Sequence, residues 1–294
     1  MNLRFRPEVH ELLQGSVDIH IHSAPDIFPR IQNDVELALQ AQEIGMRAIV
    51  IKNHWGETAG RAALASQVTG FRVFGGIALN RSVGGLNPHA VAPALKMGAK
   101  LVWMPTMHAQ AFVTQKSQVQ GLAQEIPGGL EGLGVLNPDG SLRPECYAIF
   151  DLIMAHDSCL ATGHLSKAEA RVLVTEAAKR GVKKIVVTHP MACFVGYSVQ
   201  EMKQMLDLGA TWLEHAFNDT TRVVSQPMTC EALFEGLKAV GADHSIMSTD
   251  AGQCINPIPA QQMGIYIGEA LNFGLSARQV RQMTQDNPSA LLGL

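Results

Sequence analysis

Val17-Asp18-Ile19-His20-Ile21-His22-Ser23-Ala24-Pro25-Asp26 places two histidines at i and i+2 in a segment that alternates in the manner of a β-strand. Strand side chains repeat every two residues, so His20 and His22 face the same side. Each ring nitrogen needs a partner, and two adjacent imidazoles are poorly satisfied unless a divalent cation lies between them. The stretch therefore reads as a strand that ends in a pair of metal donors. The competing reading, two half-buried histidines in unrelated hydrogen bonds, is weighed against the rest of the chain.

Short β-branched runs alternate along the sequence with longer amphipathic segments that end in glycine. Strands are expected at 16–23, 47–54, 71–80, 100–108, 158–164, 183–189, 210–216 and 245–250, each followed by a helix. Ser166-x-x-Glu169 and Ser198-x-x-Glu201 have the form of capping boxes, and Gly45, Gly181 and Gly209 fall where left-handed helix ends are expected. Eight strand–helix units with no intervening helical or all-β block predict a closed parallel (β/α)8 TIM barrel, one domain spanning residues 1–294. No G-x-G-x-x-G follows the first strand, which argues against an open dinucleotide-binding sheet.

In this register His20, His22, Lys52, His54, His108, His164, His189, His215 and Asp250 all fall at or beside the C-terminal ends of strands, where barrel enzymes hold their chemistry. Seven of the 11 histidines lie on that rim. Packing has no preference for one end of a barrel, so this placement points to a site.

The formal charge is −3, from 23 Lys and Arg against 26 Asp and Glu, and leaves no basic surface to attract nucleic acid. Five cysteines without a C-x-x-C pair argue against a disulfide framework and against a thiolate zinc site. No apolar run reaches the roughly 18 residues of a membrane span, and the N-terminus lacks a signal core. The expectation is a cytoplasmic protein acting on a small molecule, with a homo-oligomer compatible with the sequence.

On these residues the chain resembles the amidohydrolase superfamily of metal-dependent barrels. The carriers are Asp18-Ile19-His20-Ile21-His22, the histidine of Ala161-Thr162-Gly163-His164, that of Val187-Thr188-His189-Pro190, the aspartate of Ser248-Thr249-Asp250-Ala251-Gly252, and the closing Asn287-Pro288-Ser289-Ala290-Leu291-Leu292-Gly293-Leu294. The resemblance implies that His20, His22 and Asp250 bind a buried metal. It also implies that His164 and His189 bind a second ion or, in a one-metal site, that His164 is a ligand and His189 polarises the substrate.

Binuclear members bridge their ions with a carboxylated lysine or a glutamate at the end of strand 4, but Leu101-Val102-Trp103-Met104-Pro105-Thr106-Met107-His108 offers neither. Two dications about 4 Å apart repel strongly without such a bridge. One ion per chain is expected, zinc by its imidazole-rich donors, with Mn²⁺ and Fe²⁺ as alternatives. Lys52, His108, Glu214 and His215 are the residues from which an unusual bridge could come.

The expected reaction uses a metal-activated water to open a C–N or C–O bond of a small, carboxylate-bearing cyclic amide or lactone. Asp250 serves as general base, and His189 or His164 stabilises the oxyanion. The alternatives are a non-oxidative decarboxylase of an unsaturated or aromatic acid and, third, a phosphoester hydrolase. Lys52, Arg81 and His215 are the candidate substrate-binding residues, the first two as a carboxylate clamp. Residues 109–144 are long for a barrel loop, with a hairpin expected around Asn137-Pro138-Asp139-Gly140. The segment reads as a lid or as an oligomer contact.

Overall fold

A computed structural model describes residues 5–115 and 131–294. Strands β1 (Val17–His22), β2 (Ala48–Lys52), β3 (Val73–Phe74), β4 (Gly76–Ala78), β5 (Leu101–Trp103), β6 (Cys159–Ala161), β7 (Ile185–Thr188), β8 (Trp212–Ala216) and β9 (Ser245–Ser248) lie side by side in sequence order. All of their pairings are parallel. β3 and β4 form one barrel strand broken at Gly75: its first part pairs with β2 and its second with β5. The break needs glycine, because a Cβ at Gly75 would collide with the backbone of Thr58 and Ala59. Counted so, there are eight strands. The ring closes where the Asp250 N–H donates to the His20 carbonyl and the His22 N–H to that of Ala251, both at 2.8 Å. The fold is the expected (β/α)8 barrel.

Helix α1 (Pro7–Leu13) precedes β1. Around the barrel follow α2 (Asp34–Glu43), α3 (Ala59–Thr69), α4 (Pro88–Lys96), α5 (Gln110–Thr114), α6 (Pro144–Ala155), α7 (Lys167–Arg180), α8 (Val199–Asp207), α9 (Cys230–Val240) and α10 (Pro259–Asn272). Two further helices, α11 (Ala277–Arg281) and α12 (Asn287–Leu292), end the chain. Both expected capping boxes are formed, so the start signals of α7 and α8 act as read. Gly45, Gly181 and Gly209 have φ of +82°, +101° and +112°, as left-handed helix ends require.

Inside the barrel Val17, Ile19, Ala48, Val50, Leu101, Cys159, Ala161, Val186 and Ile246 form one apolar cluster around Trp103. Leu291 and Leu292 of α12 belong to it and plug its lower end. That plug is tied to the start of β9 by the Asn287 amide, which donates to the carbonyls of Ala242 and Ser245 at 2.8 and 2.7 Å. The closing Asn-Pro-Ser-Ala-Leu-Leu-Gly motif therefore seals the barrel floor opposite the rim.

Several strands are shorter than the sequence suggested. β5 ends at Trp103, two residues before Pro105, and β6 ends before Gly163, whose φ is +61° and which packs on the Met104 and Pro105 carbonyls. His108 and His164 consequently sit on loops beyond the strands. In the long insertion, the expected hairpin is a tight turn: Leu136 and Leu142 form an antiparallel bridge, and the Gly140 N–H donates to the Asn137 carbonyl at 2.9 Å. Ile126-Pro127-Gly128-Gly129 lies outside the described residues.

Candidate functional site

β1 carries a bulge: Asp18 opposes Ile49 whereas Ile21 opposes Ile51, so three steps along β1 match two along β2. An extra residue of this kind re-aims the side chains beyond it. Before the bulge Val17 and Ile19 point into the lumen; after it His20 and His22 do, while Ile21 packs in the outer core. The alternating pattern delivers the histidine pair to the lumen only because the strand slips by one residue.

Asp250 meets the pair from the closing edge. Its Oδ1 lies 3.1 Å from His20 Nε2 and 2.9 Å from His22 Nε2, and its Oδ2 lies 3.8 Å from His189 Nε2. Donor atoms about 2.0–2.1 Å from a shared ion stand about 3 Å apart, so these separations suit one coordination sphere. His20, His189 and Asp250 each offer a ligand atom within 4.8 Å of the others. Carboxylates orient both rings from behind. Glu214 Oε1 is 2.7 Å from His20 Nδ1, and Asp219 lies 3.2 Å from His189 Nδ1, so each ring's Nε2 lone pair faces inward. Glu214 Oε1 also accepts from Ser248 Oγ at 2.7 Å, which fixes the oxygen that backs His20, while Oε2 is buried without a partner among the described residues.

Non-glycine residues with positive φ include His189 at +49° and Asp250 at +51°. Such conformations cost about 1–3 kcal/mol each and persist only where their surroundings enforce them. Here they turn both side chains onto the cluster. Gly252 supports the same corner: its φ is +128°, and a Cβ there would strike the His22 carbonyl. The Asp-Ala-Gly sequence is thus a geometric requirement of barrel closure beside the site.

The charges are mutually dependent. Burial and Lys52 oppose a proton on His20, yet the Asp250 and Glu214 carboxylates hold its pKa up at about 9. Against their burial, Glu214 is pulled down to about 2 by His20, and Asp250 falls well below the usual carboxylate range beside His20 and His22. Burial pushes His22 down to about 3 and the Lys52 ammonium down to about 8. The buried Asp250 and Glu214 carboxylates beside a neutral His22 suit a cation, which would take the place of the proton they hold on His20. His164 agrees with this, since both its ring nitrogens are buried without a partner among the described residues. Its ring lies 5.5 Å from that of His189.

A cleft of about 530 Å³, counting its open mouth, lies over the cluster. His22, Lys52, His54, His164, His189 and Asp250 line its base, and Phe28, Phe112, Phe194 and Val224 its walls. His20 lies beneath them, fully buried. The structure therefore gathers His20, His22, His164, His189, Asp250 and Lys52. Lys52 lies at the base of the cleft, its Nζ 2.9 Å from His20 Nε2 and 5.2 Å from the Trp103 ring centre. Trp103 is the inward residue at the end of β5, where a bridging carboxylate would have to stand.

Two predicted substrate residues fall elsewhere. Arg81 donates to the carbonyl and carboxylate of Glu131 at 2.8 and 3.1 Å and does not line the cleft. His215 alternates with Glu214 on β8, so with Glu214 inward it faces the helices, where burial lowers its pKa to about 4. Sequence reading had located it correctly at a strand end but on the wrong face. It missed Asn218 and Asp219, just beyond β8, and Arg30 in the loop after β1. Asn218 donates to Asp250 Oδ2 at 3.2 Å. Asn218 and Asp219 lie within three residues of the end of β8, whereas Arg30 lies eight beyond β1, where no local signal marks it.

No helix among the described residues is long and apolar enough to cross a membrane. The fold matches solved structures along nearly its whole length, always at low identity. An amidohydrolase from Pseudomonas aeruginosa is 14% identical with a TM-score of 0.60, covering 97% of this chain and 98% of that one. A probable 2-pyrone-4,6-dicarboxylic acid hydrolase from Acinetobacter baumannii, crystallised with citric acid, is 11% identical with a TM-score of 0.60, covering 96% and 100%. An organophosphorus hydrolase from Deinococcus radiodurans is 15% identical with a TM-score of 0.56, covering 96% and 94%. These likenesses show a shared barrel fold. No curated protein matches the sequence significantly. Residues 15–213, which carry the histidine pair, His164 and His189, match a family described only as of unknown function, and the chain belongs to that family, DUF6282.

Proposed function

We propose that this chain is a metal-dependent hydrolase that opens a C–N or C–O bond in a small cyclic amide or lactone. The observation that carries the reading is the convergence of Asp250 Oδ1 on two Nε2 atoms at 2.9 and 3.1 Å, with carboxylates behind His20 and His189. His20, His22, His189 and Asp250 would hold one divalent ion, with His164 beside them, and imidazole donors favour zinc. When bound, such an ion supplies Lewis acidity and makes a water easier to deprotonate.

The chain's own groups do the rest. Asp250 is ionised, and Asn218 fixes its Oδ2, so Oδ1 and Oδ2 are held where they can take a proton from the attacking water and return it to the leaving nitrogen or oxygen. His164 has nitrogens without partners and lines the cleft, which suits it to steady the carbonyl oxygen as charge develops. The aromatic walls exclude water from a small ring. Neighbours named as an amidohydrolase and a pyrone dicarboxylic acid hydrolase are consistent with this chemistry.

The test is ring opening by zinc-reconstituted protein, followed by chromatographic detection of the ring-opened acid, on a panel of γ- and δ-lactones and five- and six-membered cyclic amides. Ring opening by the wild type and its loss in Asp250→Asn would support the reading. Carbon dioxide release from unsaturated or aromatic acids, with every ring left intact, would replace it with decarboxylation.

A further inference from the structure

Arg30 lines the cleft beside His22, Lys52 and Gln253, yet nothing in the metal chemistry uses it. Its side chain is 3% exposed and that of its partner Asp26 is 0% exposed. Arg30 Nε and Nη2 both meet Asp26 Oδ2 at 2.8 Å, so Asp26 occupies one edge of the guanidinium. Nη1 makes no hydrogen bond or ion pair among the described residues. The loop is held in place by its backbone: Arg30 bridges Gln253, and the Ile31 N–H donates to the Gly252 carbonyl at 3.0 Å. Phe28 lies under the guanidinium at 5.9 Å. Beyond the effect of burial, the Arg30 charge is close enough to disfavour protons on His22, Lys52 and His54.

A buried guanidinium braced on one edge and open on the other is suited to a planar anion, which accepts from the free edge without disturbing the brace. Lys52 lies deeper, at the base of the cleft beside His20, and Arg81 pairs with Glu131 away from the cleft, so Arg30 is the guanidinium that lines it. We propose that Arg30, braced by Asp26, receives a carboxylate of the substrate at the mouth of the cleft, making the substrate class a small carboxylated ring compound. The assignment rests on the reading of the cleft as a hydrolase site. Phe28, Phe112 and Phe194 then contact the body of the ring while the second polar end reaches the metal donors.

Direct binding tests this without turnover. Zinc-loaded protein is titrated calorimetrically with glutarate and with butyrate, which differ by one carboxylate. A charge-assisted contact predicts that the wild type binds glutarate about 10- to 100-fold more tightly. The Asp26→Asn/Arg30→Gln pair removes both charges together, so no carboxylate is left buried alone, and the preference should collapse toward unity. Arg30→Lys keeps the charge opposite Asp26 but not the fork, and it should lose most of the preference if the double variant does not fold. An unchanged preference in a folded variant, equal weakening of both acids, or no preference in the wild type would overturn the proposal. If no ring opens but the preference still depends on Arg30, the hydrolase reading fails while the carboxylate receptor stands.

Discussion

Asp250 has three jobs in a small volume: it faces two imidazoles with one oxygen, a third with the other, and holds a left-handed backbone conformation to do so. Asp250→Asn nearly preserves its volume and removes its basicity. The expected outcome is a fall in kcat of about 10²–10⁴-fold with the barrel intact by circular dichroism. Retention of near-wild-type kcat on a confirmed substrate would remove Asp250 from the base role. Glu214 acts through His20, so Glu214→Gln should weaken metal affinity by about 10- to 100-fold, read by competition with a chromophoric chelator. Unchanged affinity would remove Glu214 from that orienting role. At this scale His20, His22, His164, His189 and Asp250 were legible because their chemistry is rare and their spacing regular. Arg30 and Asp219 were not, because a lone arginine or aspartate in a loop resembles any surface charge until its burial is known.

Elements carry a different kind of information. Capping boxes and left-handed glycines marked the helices well, since those signals are local to the chain. The β1 bulge was invisible in sequence: Val17-Asp18-Ile19-His20-Ile21-His22 alternates without interruption, and only pairing with β2 reveals the slip. His215 shows the same limit, since a strand end is readable and its inward face is not. The closing corner offers an element-scale test. Gly252→Ala places a Cβ against the His22 carbonyl at a φ that alanine resists, so it should cost more than about 1 kcal/mol, a drop of about 2 °C or more in Tm. Metal binding should weaken with it, because His22 and Asp250 flank the collision. Wild-type Tm in the alanine variant would show that the corner relaxes without strain.

For the whole molecule, eight strand–helix units and a rim of histidines predicted a barrel with one working end, and the described residues form that barrel. A closed parallel sheet fixes which strand ends share a mouth, which is why residues as far apart as His20 and Asp250 could be grouped from sequence alone. What lies beneath the site was less accessible: Gly76 has no Cβ because one would strike the Trp103 ring, and Trp103 in turn supports Lys52 and His20. That floor makes the one-ion reading a property of the barrel interior. Elemental analysis of protein purified without chelator tests this most directly. The account predicts about one tightly held divalent ion per chain, lost in His20→Ala and in His189→Ala but retained in His215→Ala. Two ions per chain, or one that survives replacement of His20, would contradict it.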